Sequence, residues 1–114
     1  MSLIYLATPY SRYPHGKDAA FFEASKMAAK LMLQGKKIFC PIAHSHSIET
    51  LGMNGEIKDG DFWLEQDFAV LEACKELIVY KMQGWDTSYG VAAEIDFANE
   101  RGIPVSYLDE EYEF

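Results

Sequence analysis

Hydrophobic and polar positions along the chain follow two alternating patterns. "LIYLA", Leu3–Ala7, is a short continuous apolar run, as expected of a strand buried on both faces. "TPYS" follows as a turn in which Pro9 stops further pairing. Over residues 17–34 the period becomes helical, with Glu23, Lys26, Lys30 and Gln34 along one side and Gly35 where a C-cap glycine belongs. "KIFC", residues 37–40, predicts a second strand closed by Pro41. "ELIVY", Glu76–Tyr80, and "IPVSYL", residues 103–108, predict a third and a fourth. Between them, Asp61 is placed to cap a helix running to about Cys74, and "SYGVAAEIDFANERG", residues 88–102, reads as an amphipathic helix ending at a glycine. Residues 44–60, "HSHSIETLGMNGEIKDG", carry little regular signal and predict one short helix inside a mobile loop, a common form for a lid or binding loop.

Strand and helix alternate, so the class is α/β with a parallel sheet and right-handed crossovers. Such sheets bind ligands at the carboxyl ends of their strands, near the switch in strand order. Chemistry is therefore expected in "TPYSR", "PIAHS" and "MQGWDTS".

Two helical segments share an anomaly. On a wheel of ~100° per residue, Asp96, Asn99 and Glu100 fall on the polar side of the last helix, but Glu94 falls between Phe97 and Ala98, in the arc of Val91 and Ile95. In the helix before it, Glu65 and Glu72 share a polar side, while Asp67 lies between Leu71 and Cys74, near Trp63. A buried carboxylate without a partner costs on the order of several kcal/mol unless it protonates or finds donors. Each acid alone reads first as capped, as salt-bridged, or as lying on a slightly rotated helix. Two such acids in one small chain point to a site, because perturbed acids gather where catalysis needs them.

At 114 residues the sequence suits one domain, 1–114, with a real core. The net charge of −8 offers no basic stripe for a nucleic-acid polymer, though a few local donors can still hold a small anion. Lys26, Lys30, Lys36 and Lys37 read as a solvated face. Cys40 and Cys74 lie in apolar contexts without metal spacing, as expected of buried, reduced thiols in a cytoplasmic protein. No signal peptide and no membrane-length apolar run is expected.

In "DTSYG", Thr87 or Ser88 can cap the last helix, and the free N–H groups beside them suit a phosphate or another anion. Capping alone accounts for the same residues. Gly90 permits close backbone approach. "SRY", residues 11–13, is either a surface turn or an anion contact through Arg12. His44 and His46 lack a third ligand, so no metal is expected, and His15 reads as a loop residue. Neither GxGxxG, a Walker A sequence nor a GxSxG nucleophile pattern occurs.

Taken in order, "IYLATPYS", "WLEQDFAVLEACKELIVY" and "SYGVAAEIDFANERGIPV" resemble three segments of the nucleoside 2-deoxyribosyltransferase-like family, which includes the 2-deoxynucleoside 5-monophosphate N-hydrolases. The resemblance runs from the first strand to near the end of the chain. It implies a small three-layer Rossmann/flavodoxin-like fold with a parallel sheet of four or five strands. It also implies an enzyme that cleaves or transfers the N-glycosidic bond of a (deoxy)nucleoside or nucleoside 5-monophosphate, without metal or cofactor. Glu94 would be the nucleophile that forms a glycosyl-enzyme. Asp67 would assist the leaving base or hold the sugar, and Tyr5 would orient the nucleophile or the sugar. Ala7, Pro9, Ser11, Arg12, His44, Asp86, Ser88 and Gly90 would contact substrate, and a homodimer or higher homo-oligomer is implied. The family's hydrolase branch has a glycine- and arginine-rich first loop, whereas here only Arg12 stands as a phosphate candidate. The alternative is a non-catalytic nucleotide-binding or sensing module on the same fold. A third reading is an interaction protein in which Trp63 and Trp85 feed an interface.

Overall fold

Four parallel strands form the centre of the molecule, in the order β2-β1-β3-β4. The computed structural model describes residues 3–53, 56 and 60–110. The strands are β1 (Leu3–Ala7), β2 (Lys37–Phe39), β3 (Glu76–Tyr80) and β4 (Val105–Leu108). In register, Tyr5 lies beside Phe39 on one side and Leu77 on the other. Helices α1 (Lys17–Leu33), α2 (Pro41–Ser47), α3 (Gly60–Leu71) and α4 (Tyr89–Glu100) complete a Rossmann-like α/β fold.

The continuous apolar runs of β1 and β3 are buried on both faces, as their composition requires. Ile4, Leu6, Ile78 and Tyr80 meet α1 on one face. Tyr5, Ala7, Leu77 and Val79 meet the layer of Leu71, Val91 and Ala98 on the other. Helix α1 approaches the sheet through Ala20, Ala24, Met27, Ala28 and Leu31, a stripe of mostly small residues, while Lys26 and Lys30 face water. Its end comes where expected, with Gly35 at φ 93° just after the C-cap residue.

Helices α3 and α4 bury the same positional pattern. Leu64, Asp67 and Leu71 are buried on α3; Val91, Glu94 and Ala98 are buried on α4. Each set is spaced i, i+3, i+7, with a carboxylate in the middle. The two helices lie side by side, with the Phe68 and Phe97 rings stacked at 4.4 Å. Helix α3 begins at Gly60, so Asp61 sits inside its first turn, and it ends at Leu71, short of Cys74. Both cysteines are free and buried.

Residues 41–53 differ from expectation. Pro41 does not merely close β2; it opens α2 at a first-turn position, where its missing N–H costs nothing. Helix α2 then runs directly into a π-helical turn, Ile48–Met53. The polar "HSHS" run conceals this helix, whose inner face is Pro41, Ser45 and His46. The rest of the expected loop, residues 54–59 apart from Glu56, lies outside the described residues.

The chain winds to one side of β1 to make β2, then crosses to the other side to make β3. The switch in order falls between β1 and β3, so a crevice is expected at their carboxyl ends. Gly84, in the loop after β3, closes this region against the loop after β1. It has φ 93°, and a Cβ there would lie 2.5 Å from the Arg12 carbonyl oxygen. Gly84→Ala is therefore expected to cost about 2 kcal/mol or more in urea unfolding. Gly90→Ala, in the first turn of α4 with only Ser88 Oγ within 4 Å of the added methyl, should be neutral or stabilising. Equal losses at both positions would contradict this account.

Candidate functional site

A cavity of about 630 Å³ opens at the switch point, within the usual range for a small-molecule site. The loop after β1 supplies Thr8, Tyr10, Ser11 and Arg12, and Lys17 follows from the start of α1. Helix α2 and its π-helical extension supply Pro41, Ile42, Ser45, Glu49 and Thr50. Gly60, Trp63, Leu64 and Asp67 of α3 form one wall at i, i+3, i+4, i+7 spacing. Ser88, Tyr89, Gly90 and Glu94 of α4 form another.

Glu94 is 4% exposed and Asp67 8%. Among the described residues neither forms an ion pair, so the salt-bridged alternative does not describe this structure. The hydroxyl of Tyr5, fully buried on the central strand, donates a hydrogen bond to Glu94 Oε2. Tyr5 stands behind the cavity wall and reaches the site through Glu94. Burial pushes the Asp67 carboxyl up to about 7. Burial also pushes Glu94 up to about 8, opposed by the Tyr5 hydrogen bond and reinforced by the charge of Asp67. The Tyr5 phenol is raised too, by burial and then by Glu94 and Asp67, and so stays protonated as a donor. Two buried acids in one cavity cannot both ionise cheaply, so near neutral pH the pair holds a proton. The Tyr5 hydrogen bond favours an ionised Glu94, whereas the deeper burial of Glu94 favours its protonated form, so the one proton is shared between the two carboxyls.

Ser88 does cap α4: its Oγ accepts from Val91 N at 3.2 Å, and it is buried while lining the cavity. The positive end of α4 therefore faces the ligand space. The Thr8 hydroxyl, also buried at the wall, has no nitrogen or oxygen partner among the described residues. Across the cavity, Trp63 Nε1 donates to Glu49 Oε1 at 3.0 Å, tying the π-helical turn to α3.

The remaining expected residues divide. Ser11, Arg12, Ser88 and Gly90 line the cavity with Glu94 and Asp67. Ala7 and Pro9 are fully buried beneath it and support the loop rather than face a ligand. His44 is exposed and leans on Phe39, and Asp86 is exposed on the 3-10 turn Trp85–Thr87; neither belongs to the lining. The α3 wall was within reach of the wheel that singled out Asp67, since Gly60, Trp63 and Leu64 share its stripe. Tyr10 falls within "TPYSR", where chemistry is expected, without being singled out there; Glu49 and Thr50 had no such signal, because their placement depends on the π-helical extension of α2.

Among the described residues no group of three potential metal ligands converges, and no helix is long and apolar enough to cross a membrane. Fold and site together define a small α/β protein with an acid pair in a cleft at the switch point of a parallel sheet. The chain belongs to the family described as a domain of unknown function, DUF1937, whose model matches residues 2–110. No curated protein matches the chain.

Proposed function

We propose that the protein cleaves or transfers the N-glycosidic bond of a (deoxy)nucleoside or nucleoside 5-monophosphate, with Glu94 as nucleophile. The observation that supports this most is the buried acid pair in one cavity, without an ion pair among the described residues and with a tyrosine donating to one member only. That asymmetry divides the labour between the carboxyls. An ionised Glu94 attacks the anomeric carbon as the carbon–nitrogen bond breaks and its electron pair leaves with the base. Protonated Asp67 gives its proton to the departing base. Water then attacks the same carbon, loses a proton to Asp67 and releases Glu94; a second base in place of water gives transfer. Buried at 4% exposure, the carboxylate opposes the positive charge developing on the sugar more strongly than it could in solvent.

The sequence resemblance supplies the substrate class, and the cavity suits a molecule of that size. Incubation with a panel of deoxynucleosides, ribonucleosides and their monophosphates, read as free or exchanged base, tests the proposal. Release from at least one member is the expected result. Saturable binding with no release across the panel would instead favour a sensing module.

A further inference from the structure

Tyr10 faces the cavity from the sheet face opposite Glu94. Its ring packs on the apolar layer shared with α1, whereas Tyr5, the partner of Glu94, belongs to the layer of α3 and α4. Behind Tyr10 lies His46 of α2, whose side chain is 10% exposed and whose ring stacks on Phe21 at 4.4 Å. Both ring nitrogens are engaged. Nδ1 is 2.6 Å from the Tyr10 hydroxyl, and Nε2 is 3.1 Å from Asp18 Oδ1.

The Asp18 carboxylate, itself 96% exposed, biases the direction of this chain. An ionised carboxylate can only accept, so it calls for the ring proton on Nε2. The other tautomer would set a nitrogen lone pair against a negative charge. In the neutral ring that leaves Nδ1 as an acceptor, and the Tyr10 hydroxyl must donate to it. Tyr10 has one proton. Once that proton is committed to His46, the oxygen offers only lone pairs to the cavity. Lys17 does not alter this, since its ammonium sits over the Tyr10 ring at 5.1 Å.

We propose that Tyr10, held by His46 and Asp18, is an acceptor that selects ligands carrying an N–H donor, specifically nucleosides whose base bears an exocyclic amine. The nucleoside class rests on the glycosidase reading; the acceptor role rests on the hydrogen-bond chain. With the anomeric carbon at Glu94, the base is the part of the molecule free to extend to the opposite wall. Its amine is the donor that Tyr10 can receive.

The test uses two matched pairs: deoxyadenosine and deoxycytidine, each against the same nucleoside with hydrogen in place of its amine. Affinities are measured calorimetrically at about pH 8, above the ordinary imidazole range. A Glu94→Gln background prevents consumption of the ligand. At least one amine-bearing ligand is expected to bind about tenfold more tightly than its partner, the worth of one hydrogen bond. Adding Tyr10→Phe should bring that ratio close to one by weakening the amine-bearing ligand alone. Adding His46→Phe preserves the stack on Phe21 but frees the tyrosine proton, and should also erase or invert the preference. Equal affinities within both pairs, no binding of either pair, or equal weakening of both members by Tyr10→Phe would overturn the assignment. Base release by the unmodified protein is scored separately. Turnover without amine preference removes the Tyr10 role and leaves the glycosidase reading standing; amine preference without turnover does the reverse.

Discussion

Glu94→Gln is expected to reduce base release by a factor on the order of 10⁴ while leaving the protein folded. The amide keeps the shape of the side chain and can still accept from Tyr5, but it cannot form the bond to the anomeric carbon. Tyr5→Phe should lose less, about 10- to 100-fold, corresponding to one hydrogen bond to a charged group. On the glycosidase proposal, the unmodified protein should show a bell-shaped dependence of kcat/KM on pH, centred near neutrality. Its acid limb falls as the pair takes up a second proton, and its alkaline limb falls as the pair loses its last one. The two apparent values belong to the pair, because each charge raises the cost of the other. Asp67→Asn should remove the alkaline limb along with most of the rate. A Glu94→Gln protein that releases base at the unmodified rate would eliminate Glu94 as the nucleophile.

The second large effect is on stability, and its sign follows from burial. Asp67 and Glu94 titrate at about 7 and about 8 in the folded protein, against ordinary values of 3.8 and 4.5. A carboxyl raised on folding binds its proton more tightly in the native state. Its stabilising contribution is complete below the unfolded value and is lost as pH rises through the folded one. The chain should therefore lose stability between about pH 4 and pH 8 through these two groups. Glu94→Gln has no such proton to lose. Relative to the unmodified protein it should gain about 2 kcal/mol or more at pH 8, roughly 5–10 °C in Tm, and nothing near pH 4. Thermal melts of both proteins across that range measure the difference directly, and other titrating groups cancel in the comparison. A gap that stays constant with pH would mean that burial does not raise the Glu94 carboxyl.

These expectations could be framed from sequence because a helix records its buried face in its period. Asp67 and Glu94 are each flanked at i−3 and i+4 by apolar side chains, Leu64 and Leu71 in one case, Val91 and Ala98 in the other. That local pattern identified both acids before any fold was known, and it also held the α3 wall of the cavity. Strand β1 likewise carried Tyr5 in a run that leaves no exposed face. Helix α2 was hidden for a physical reason: histidine and serine are mediocre helix formers, and its start coincides with a proline that reads equally as a strand end. With α2 hidden, the π-helical turn, Glu49 and the partnership of His46 with Tyr10 were hidden too. His44 drew attention in place of His46, two residues on, because spacing without a helix phase does not say which histidine turns inward.

The sequence by itself determined the four strands, three of the helices and their order, the apolar setting of two carboxylates and an acidic net charge, all of which follow from local period and composition. Only the tertiary structure decided that the two carboxylates share a cavity and that neither forms an ion pair among the described residues. It also set Tyr5 on Glu94 across 89 positions of chain, and Tyr10 on His46 across 36. A period specifies which side of an element is buried, not what it is buried against. That choice depends on the β2-β1-β3-β4 strand order and on how closely the loops after β1 and β3 pack, down to the missing side chain of Gly84 over the Arg12 carbonyl.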